Sequence, residues 1–298
     1  MIYTPKMAKN GVKTVGILGF GLVGQALAAR LKGGSYQVLA CDPATPAQAA
    51  ALALSLPVAH DAQALAAQCD VVLMAVLDDA ALRLCADALA QSAGKPSRRI
   101  QLVISCVTAS VEATQYAESA LSHIAFADMP LLGSSQQIAA GQALGLLGAS
   151  DSVAQQWASL LAVLCPNYRH VGPCGHGVRA KLACNLVLGL NRAALAEGLA
   201  LATTLGLDGT AFLDLLRESP AYSRAVDVAG PRMVARDFAP RSRIHQHRKD
   251  LGLMLDVGHK NDLNLSLTQA HARLLDQAIA QGLGELDNAA IIDAIKAN

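Results

Sequence analysis

Aromatic side chains are scarce: they make up 3% of the 298 residues, with one tryptophan and four phenylalanines. A core with so few rings must be aliphatic, and the 53% hydrophobic share, rich in alanine, can fill it. Net charge is nearly absent too. Lys and Arg number 24 against 23 Asp and Glu, leaving +1, which gives no field to draw the chain to nucleic acid or to an anionic membrane. No CxxC pair occurs among the seven cysteines, Cys41, Cys69, Cys85, Cys106, Cys165, Cys174 and Cys184, and their number is odd. That argues against a disulfide framework and fits reduced, buried thiols in a cytoplasmic protein. Cys174 and Cys184 with His170 and His176 follow no zinc spacing, so no metal is expected. Met1 to Gly11 holds two lysines but no apolar core of signal-peptide length, and is read as a frayed terminus. No uncharged apolar run reaches membrane-spanning length. Repeats and low-complexity linkers are missing as well, and the length suggests two domains.

What is present begins with a βαβ pattern. Lys13 to Leu18 reads as a strand and runs directly into Gly19-Phe20-Gly21-Leu22-Val23-Gly24. A helical pattern follows to Leu31, Gly33-Gly34 ends it, and Tyr36 to Cys41 is a second strand closed by Asp42. In a strand–GxGxxG–helix–strand–acid unit, the glycines allow a tight turn, close backbone approach to a pyrophosphate, and close helix–strand packing. The helix N-terminus then faces the anion. Asp42 is placed to accept from ribose hydroxyls and to repel a 2′-phosphate. Pro43 follows it, with no arginine to neutralise such a phosphate, so NAD is preferred and NADP is less expected. The alternative is that Asp42 only opens the Asp-Pro-Ala-Thr-Pro turn.

The α/β alternation continues. Pro46 to Leu54 reads as a helix, Asp70 to Val76 as a buried parallel strand, and Asp78 as the cap of a helix through Leu89. Gly94 to Arg99 is a polar loop, Ile100 to Ile104 a strand, and Ser105 to Ser110 the loop at its C-terminal end. Ligands bind at that end of an open parallel sheet, which makes Thr108 a site candidate. From Ile124 a strand breaks at Asp128-Met-Pro130 into Leu131-Leu132-Gly133-Ser134-Ser135-Gln136-Gln137. Such a loop offers N–H groups and hydroxyls to a carboxylate, unless it is merely solvated. Leu144 to Leu147 and Asn167 to Val171 read as short strands around a helix from Asp151 to Leu164.

Gly175 to Asn191 opens the longest helical pattern, which continues past Gly198 to a stop at Gly206. About thirty helical residues span about 45 Å, enough to leave one domain and enter another. Lys181 and Asn185, four apart, project from one face. On the residues alone, Lys181 could equally lie on a solvated face or snorkel. Beyond Gly206 the pattern is helical, with breaks at Gly206–Gly209, Ser219–Pro220, Gly230–Pro231 and Ala239–Pro240. Leu251, Met254, Leu255 and Gly258 mark one packed face, Leu267 to Ala280 and Asn288 to Ile295 are closing helices, and Gly284 to Asp287 is a turn with an N-cap.

Four stretches in order carry a family resemblance: Gly19 to Gly24; Asp128 to Gly141; His170-Val-Gly-Pro-Cys-Gly-His-Gly with Lys181 and Asn185; and Lys249-Asp250-Leu251. Over nearly its whole length the chain resembles a β-hydroxyacid dehydrogenase of the 3-hydroxyisobutyrate dehydrogenase type. The resemblance implies an α/β Rossmann domain (residues 12–172), a long interdomain helix (173–206) and an all-α C-terminal domain (207–298). It implies that Lys181 is the catalytic lysine exchanging a proton with the substrate hydroxyl, and that Asn185 holds substrate. Gly133 and Ser134 match positions that cradle the carboxylate. Thr108 matches a residue near nicotinamide and substrate, and Lys249 one that reaches the cofactor. General principles agree: a partly dry site beside a positive ring favours the neutral amine that a general base requires.

The chain departs from the family pattern where the usual serine is Leu132, the first of paired asparagines is Cys184, a proline is Asp78 and a phenylalanine is Ser242. With Leu132 in place, Ser134 or Ser135 is left to supply the carboxylate hydrogen bond. Around Ser242 lie Arg241, Arg243, His245, His247 and Arg248. This suggests a wider pocket and a second anionic group on the substrate, with Arg243 as its partner, unless these charges lie on a solvated helix face. Their alternating spacing is not helical. A decarboxylating 6-phosphogluconate-like enzyme would need a glutamate seven residues after the lysine, where Leu188 stands. An imine reductase would usually replace the lysine. A non-enzymatic NAD-binding or chromatin-associated relative is opposed by the retained Lys181 and the lack of a basic tail. The expectation is a two-domain NAD-dependent oxidoreductase acting on a small 3-hydroxy acid, or on the aldehyde acid in reverse. No nucleic-acid or membrane partner is expected, and the helical domain is expected to pair as a homodimer or homotetramer.

Overall fold

The computed structural model describes residues 13–34, 36–92 and 100–295. The segment Met1 to Gly11 and the loop Gly94 to Arg99 lie outside the described residues. The chain divides into two compact units, Met1–Lys181 and Leu182–Asn298. The boundary falls inside the long helix.

In the first unit the strands are β1 (Thr14–Leu18), β2 (Gln37–Cys41), β3 (Val71–Met74), β4 (Leu102–Ser105), β5 (Ala125–Asp128), β6 (Leu131–Leu132), β7 (Leu144–Gly148) and β8 (Arg169–Gly172). The first five are parallel in the order β2-β1-β3-β4-β5. β7 then runs antiparallel beside β5, with Asp128 opposite Gly148, and β6 and β8 both pair with β7. Each central strand alternates between two cores. Val71, Leu73, Leu102 and Ile104 face one, with helices Leu22–Gly33 and Ala158–Leu164. Val72, Met74 and Val103 face the other, with helices Asp79–Ser92 and Val111–Ala120. Burial on both faces is why these strands read as unbroken apolar runs.

Among the elements that differ from the sequence expectation, three bear on the first unit. The helix expected over Asp151 to Leu164 is two, Asp151–Gln156 and Ala158–Leu164, broken at the buried Trp157. The helix Val111–Ala120 gives little periodic signal, because its buried residues are the small Ala113, Thr114 and Ala117. The two-residue β6 is too short for any pattern.

The long helix runs His176–Thr204, 29 residues, straight through Gly198. Gly206 closes it with φ +84, a backbone that glycine adopts without strain. By length and composition this helix could cross a membrane, but Lys181 and Asn185 on it are buried and bonded to protein. The second unit adds helices Gly209–Glu218, Arg224–Val228, Gly230–Ala235, Ile244–Lys260, Ser266–Ala280 and Ile291–Ile295 around an aliphatic core that includes Leu199, Leu213, Met233, Leu251, Met254 and Ile291.

Candidate active site

The glycines after β1 have three separate jobs. Gly19 has φ +88, and a Cβ there would stand 2.6 Å from the Ala75 carbonyl oxygen. A Cβ on Gly24 would collide with the Gly19 carbonyl, so Gly24 is what lets helix Leu22–Gly33 approach the strand end. Gly21 faces open space and is the N-cap of that helix, with no side chain bonded to the first-turn N–H groups. Those N–H groups and the positive helix end are ready for an anion. The Asp42 carboxylate accepts from Phe20 N at 2.7 Å and from Ala44 N at 2.8 Å. It thus opens the turn after β2 and also braces the glycine loop. A carboxylate has about four acceptor positions, which leaves room for ribose hydroxyls. These residues fit the pyrophosphate and adenosine ribose of a dinucleotide.

Farther along the sheet, Thr108 is half-buried in the loop after β4. Gly133 follows β6 with φ +153, and a Cβ there would stand 3.0 Å from Ala143 Cβ. Ser134 caps the short helix Ser135–Ala139. Its Oγ accepts from Gln137 N at 3.2 Å, and its own N–H donates to Gln137 Oε1 at 2.8 Å. That backbone N–H, expected to meet a substrate carboxylate, is therefore used locally, while Ser135 is half-buried in the first turn. Ser134-x-x-Gln137 is a capping-box signature that the sequence displays openly.

Lys181 is 7% exposed, and its Nζ donates to the Leu131 carbonyl at 2.6 Å. Leu131 is held by pairing with Gly145 on β7, so the antiparallel margin of the sheet aims the Lys181 Nζ just before Gly133 and Ser134. The start of the helix carrying Lys181 is fixed by Asp128, fully buried at the end of β5. Its two oxygens accept from Gly175 N and Val178 N, each at 2.7 Å. Burial raises this carboxyl to about 6, against the opposite pull of the two N–H groups. Cys174 hydrogen-bonds the same carboxylate, and burial, then Asp128 and Glu118, push its thiol well above the usual range. The sequence alone does not display this role of Asp128, because its partners lie 47 and 50 residues away.

In the second unit, Asn185 Nδ2 donates to Asp250 Oδ2 at 3.0 Å, and Lys249 Nζ lies 3.2 Å from Asp250 Oδ1. Asp250 thus gathers Asn185 and Lys249. The cations near Ser242 are engaged elsewhere. Arg243 is exposed and lies 3.2 Å from Glu285, Arg241 binds Asp237 at 2.9 Å, and Arg248 binds both oxygens of Asp276 at 2.7 and 3.1 Å. Ser242 Oγ and its carbonyl both accept from Asn288 Nδ2. Helix Ile244–Lys260 begins just after Arg243. Arg241 to Arg243 is therefore non-helical as the spacing suggested, whereas His245 and His247 are helical.

Residues 14–172 match the family described as the NAD binding domain of 6-phosphogluconate dehydrogenase, and residues 175–295 match the NAD-binding domain of NADP-dependent 3-hydroxyisobutyrate dehydrogenase. The chain belongs to the β-hydroxyacid dehydrogenase family. This dehydrogenase is 30% identical over 254 residues to a probable 3-hydroxyisobutyrate dehydrogenase of Mycobacterium tuberculosis, covering 82% of this chain and 85% of the relative. It is 27% identical over 281 residues to 2-(hydroxymethyl)glutarate dehydrogenase of Eubacterium barkeri, covering 93% of each. A solved structure of Mycobacterium tuberculosis 3-hydroxyisobutyrate dehydrogenase with L-serine superimposes with TM-score 0.83 at 26% identity, over 96% of this chain and 100% of that one. Family and fold are thereby set for an NAD(P)-binding oxidoreductase.

Proposed function

We propose that this dehydrogenase transfers hydride between NAD and a small 3-hydroxy acid, or the matching semialdehyde in reverse, with Lys181 as the proton-transfer group. When bound, the nicotinamide supplies the hydride acceptor or donor. In the oxidation direction, Lys181 Nζ takes the proton from the substrate hydroxyl as the carbinol hydrogen leaves with its electron pair. In reduction the ammonium returns that proton. Gly133, Ser135 and the free donor of the Ser134 hydroxyl orient the carboxylate, with Thr108 beside them. Asn185 contributes the carboxamide oxygen left over from its bond to Asp250, and Lys249 reaches toward the cofactor. The observation that carries the reading is Lys181 itself: a buried amino group, aimed by a main-chain carbonyl, in a chain whose dinucleotide loop is complete. Leu188, 40% exposed at the position a decarboxylating relative fills with glutamate, opposes that alternative. Assembly as a homodimer or homotetramer and a cytoplasmic location are part of the proposal.

A second anion site is not included, since Arg241, Arg243 and Arg248 are engaged by carboxylates. The test is a screen of hydroxy acids and semialdehydes with both cofactors, followed by absorbance of the reduced cofactor. 3-Hydroxyisobutyrate-sized monoanions are expected to turn over better than 2-(hydroxymethyl)glutarate. The reverse ranking would restore the dianion reading, and no turnover of any member would remove the proposal.

NAD is expected to be preferred by about tenfold or more, about 1.4 kcal/mol. Asp42 also holds Phe20 N and Ala44 N, so alanine there would loosen the loop as well as remove the charge. Asp42→Asn with Pro43→Arg keeps one acceptor and adds a phosphate partner. Its kcat/KM ratio for NAD over NADP should fall by at least about tenfold. A wild type that uses NADP equally well defeats this reading of Asp42.

A further inference from the structure

Gly189 lies in the interior of the long helix, where glycine destabilises relative to alanine. The reason for it is steric. A Cβ at Gly189 would collide with Nε2 of His247, and would stand 2.8 Å from that ring's Cε1 and 3.0 Å from Cε1 of His271. Both imidazoles are buried, 3% and 4% exposed, with ring centroids 5.2 Å apart. The His247 ring thus fills a notch in the helix, and His271 backs it.

The notch lies one turn from the candidate site on both helices. Gly189 is four residues beyond Asn185, and His247 is three residues before Asp250, so each pair shares a helix face. Asn185 meets Asp250 and Gly189 meets His247. The order on one helix is reversed on the other, so the two run antiparallel at this contact, joined by two successive rungs. One rung is a hydrogen bond, whose geometry tolerates sliding poorly. The other is a ring in a socket, which fixes the height at which helix Ile244–Lys260 sits.

We infer that His247, seated in the Gly189 notch, is a positioning residue that sets the register of Asp250 and Lys249 against Asn185. The inference rests on the roles proposed above for Asn185 and Lys249. It does not depend on Lys181. His247 acts by shape, through the helix, and touches neither substrate nor cofactor.

A three-variant cycle in the full chain tests it: Gly189→Ala, His247→Ala, and the two together. Gly189→Ala expels the ring. It should weaken NADH binding, followed by nicotinamide fluorescence, and lower kcat/KM for 3-hydroxyisobutyrate by roughly 10- to 100-fold, mainly through KM. His247→Ala should cost less, because it leaves space in place of a clash. In the double variant the new methyl occupies room the ring has vacated. Binding and kcat/KM should recover to within about threefold of His247→Ala, a strongly non-additive result. Circular dichroism and thermal midpoints identify any variant that has not folded. If Gly189→Ala alone does not fold, recovery of both fold and NADH binding in the double variant still supports the socket. The inference is overturned by wild-type NADH affinity and KM in Gly189→Ala, or by purely additive losses. Because NADH binding is read separately, failure to turn over any hydroxy acid would count against the proposed function and not against the socket.

Discussion

Lys181→Ala is expected to lower turnover by about 10²- to 10⁴-fold, the usual range for removing a positioned acid–base group, while NAD still binds. The separation follows from where the groups sit. The dinucleotide loop is built by Gly19, Gly21, Gly24 and Asp42, and the contacts found for Asp42 and the glycine loop do not pass through Lys181. The Lys181 ammonium is bonded instead to the Leu131 carbonyl. Losing the contact to the Leu131 carbonyl should cost about 1.5–3 kcal/mol of stability, so the inactive variant should remain folded. Lys181→Arg tests the chemistry more sharply. A guanidinium keeps the charge and can donate to Leu131, but cannot give up its proton near neutrality. Oxidation should therefore stay lost in Lys181→Arg even if binding is normal. Near-normal turnover in either variant, with cofactor saturating, would remove Lys181 from the mechanism.

The parts of this site that could be read from sequence are those whose partners are close in the chain. Gly19 to Gly24 and Asp42 act through backbone turns, a helix start and a neighbouring strand, all within one βαβ unit, and composition at those few positions dictates the geometry. The long helix was legible from its glycine entry, apolar spacing and Gly206 stop. Lys181 and Asn185 were legible as a pair because helical spacing alone puts them on one face. What holds each of them was not. Leu131 meets Lys181 only because a two-residue strand pairs with β7, and no periodicity announces two residues. Asp250 reaches Asn185 from 65 residues away. The partners of the cations around Ser242 were hidden for the same reason: Glu285 and Asp276, which engage Arg243 and Arg248, arrive from later helices and turns. Two local signals in the sequence do point to such contacts. Ser134 with Gln137 spelled a capping box, and a glycine in mid-helix at Gly189 marked a close approach.

Asp128→Ala is expected to be the most destabilising of these substitutions and to impair catalysis from a distance. The carboxylate has no solvent exposure and supplies the acceptors for Gly175 N and Val178 N at the start of the helix that carries Lys181. Two buried donors left without acceptors cost about 1–3 kcal/mol each. The sum of roughly 4 kcal/mol should lower the thermal midpoint by about 10 °C in a body of this size. Asn in its place offers one acceptor and turns an NH₂ toward an N–H, so Asp128→Asn should recover only part of the loss. The pH dependence gives a second check with a definite sign. Burial raises the folded carboxyl from 3.8 to about 6. As pH falls, the folded protein therefore takes up this proton before the unfolded chain does, and the group favours folding increasingly from about pH 6 down to about pH 4. A shift of about two units corresponds to about 3 kcal/mol. The stability gap between wild type and Asp128→Ala should accordingly widen on acidification from pH 7 to 4, measured by denaturant melts at each pH. A gap that narrows would mean that the two N–H groups and the helix end outweigh burial, holding the carboxyl below its ordinary value and making Asp128 an anion-only cap.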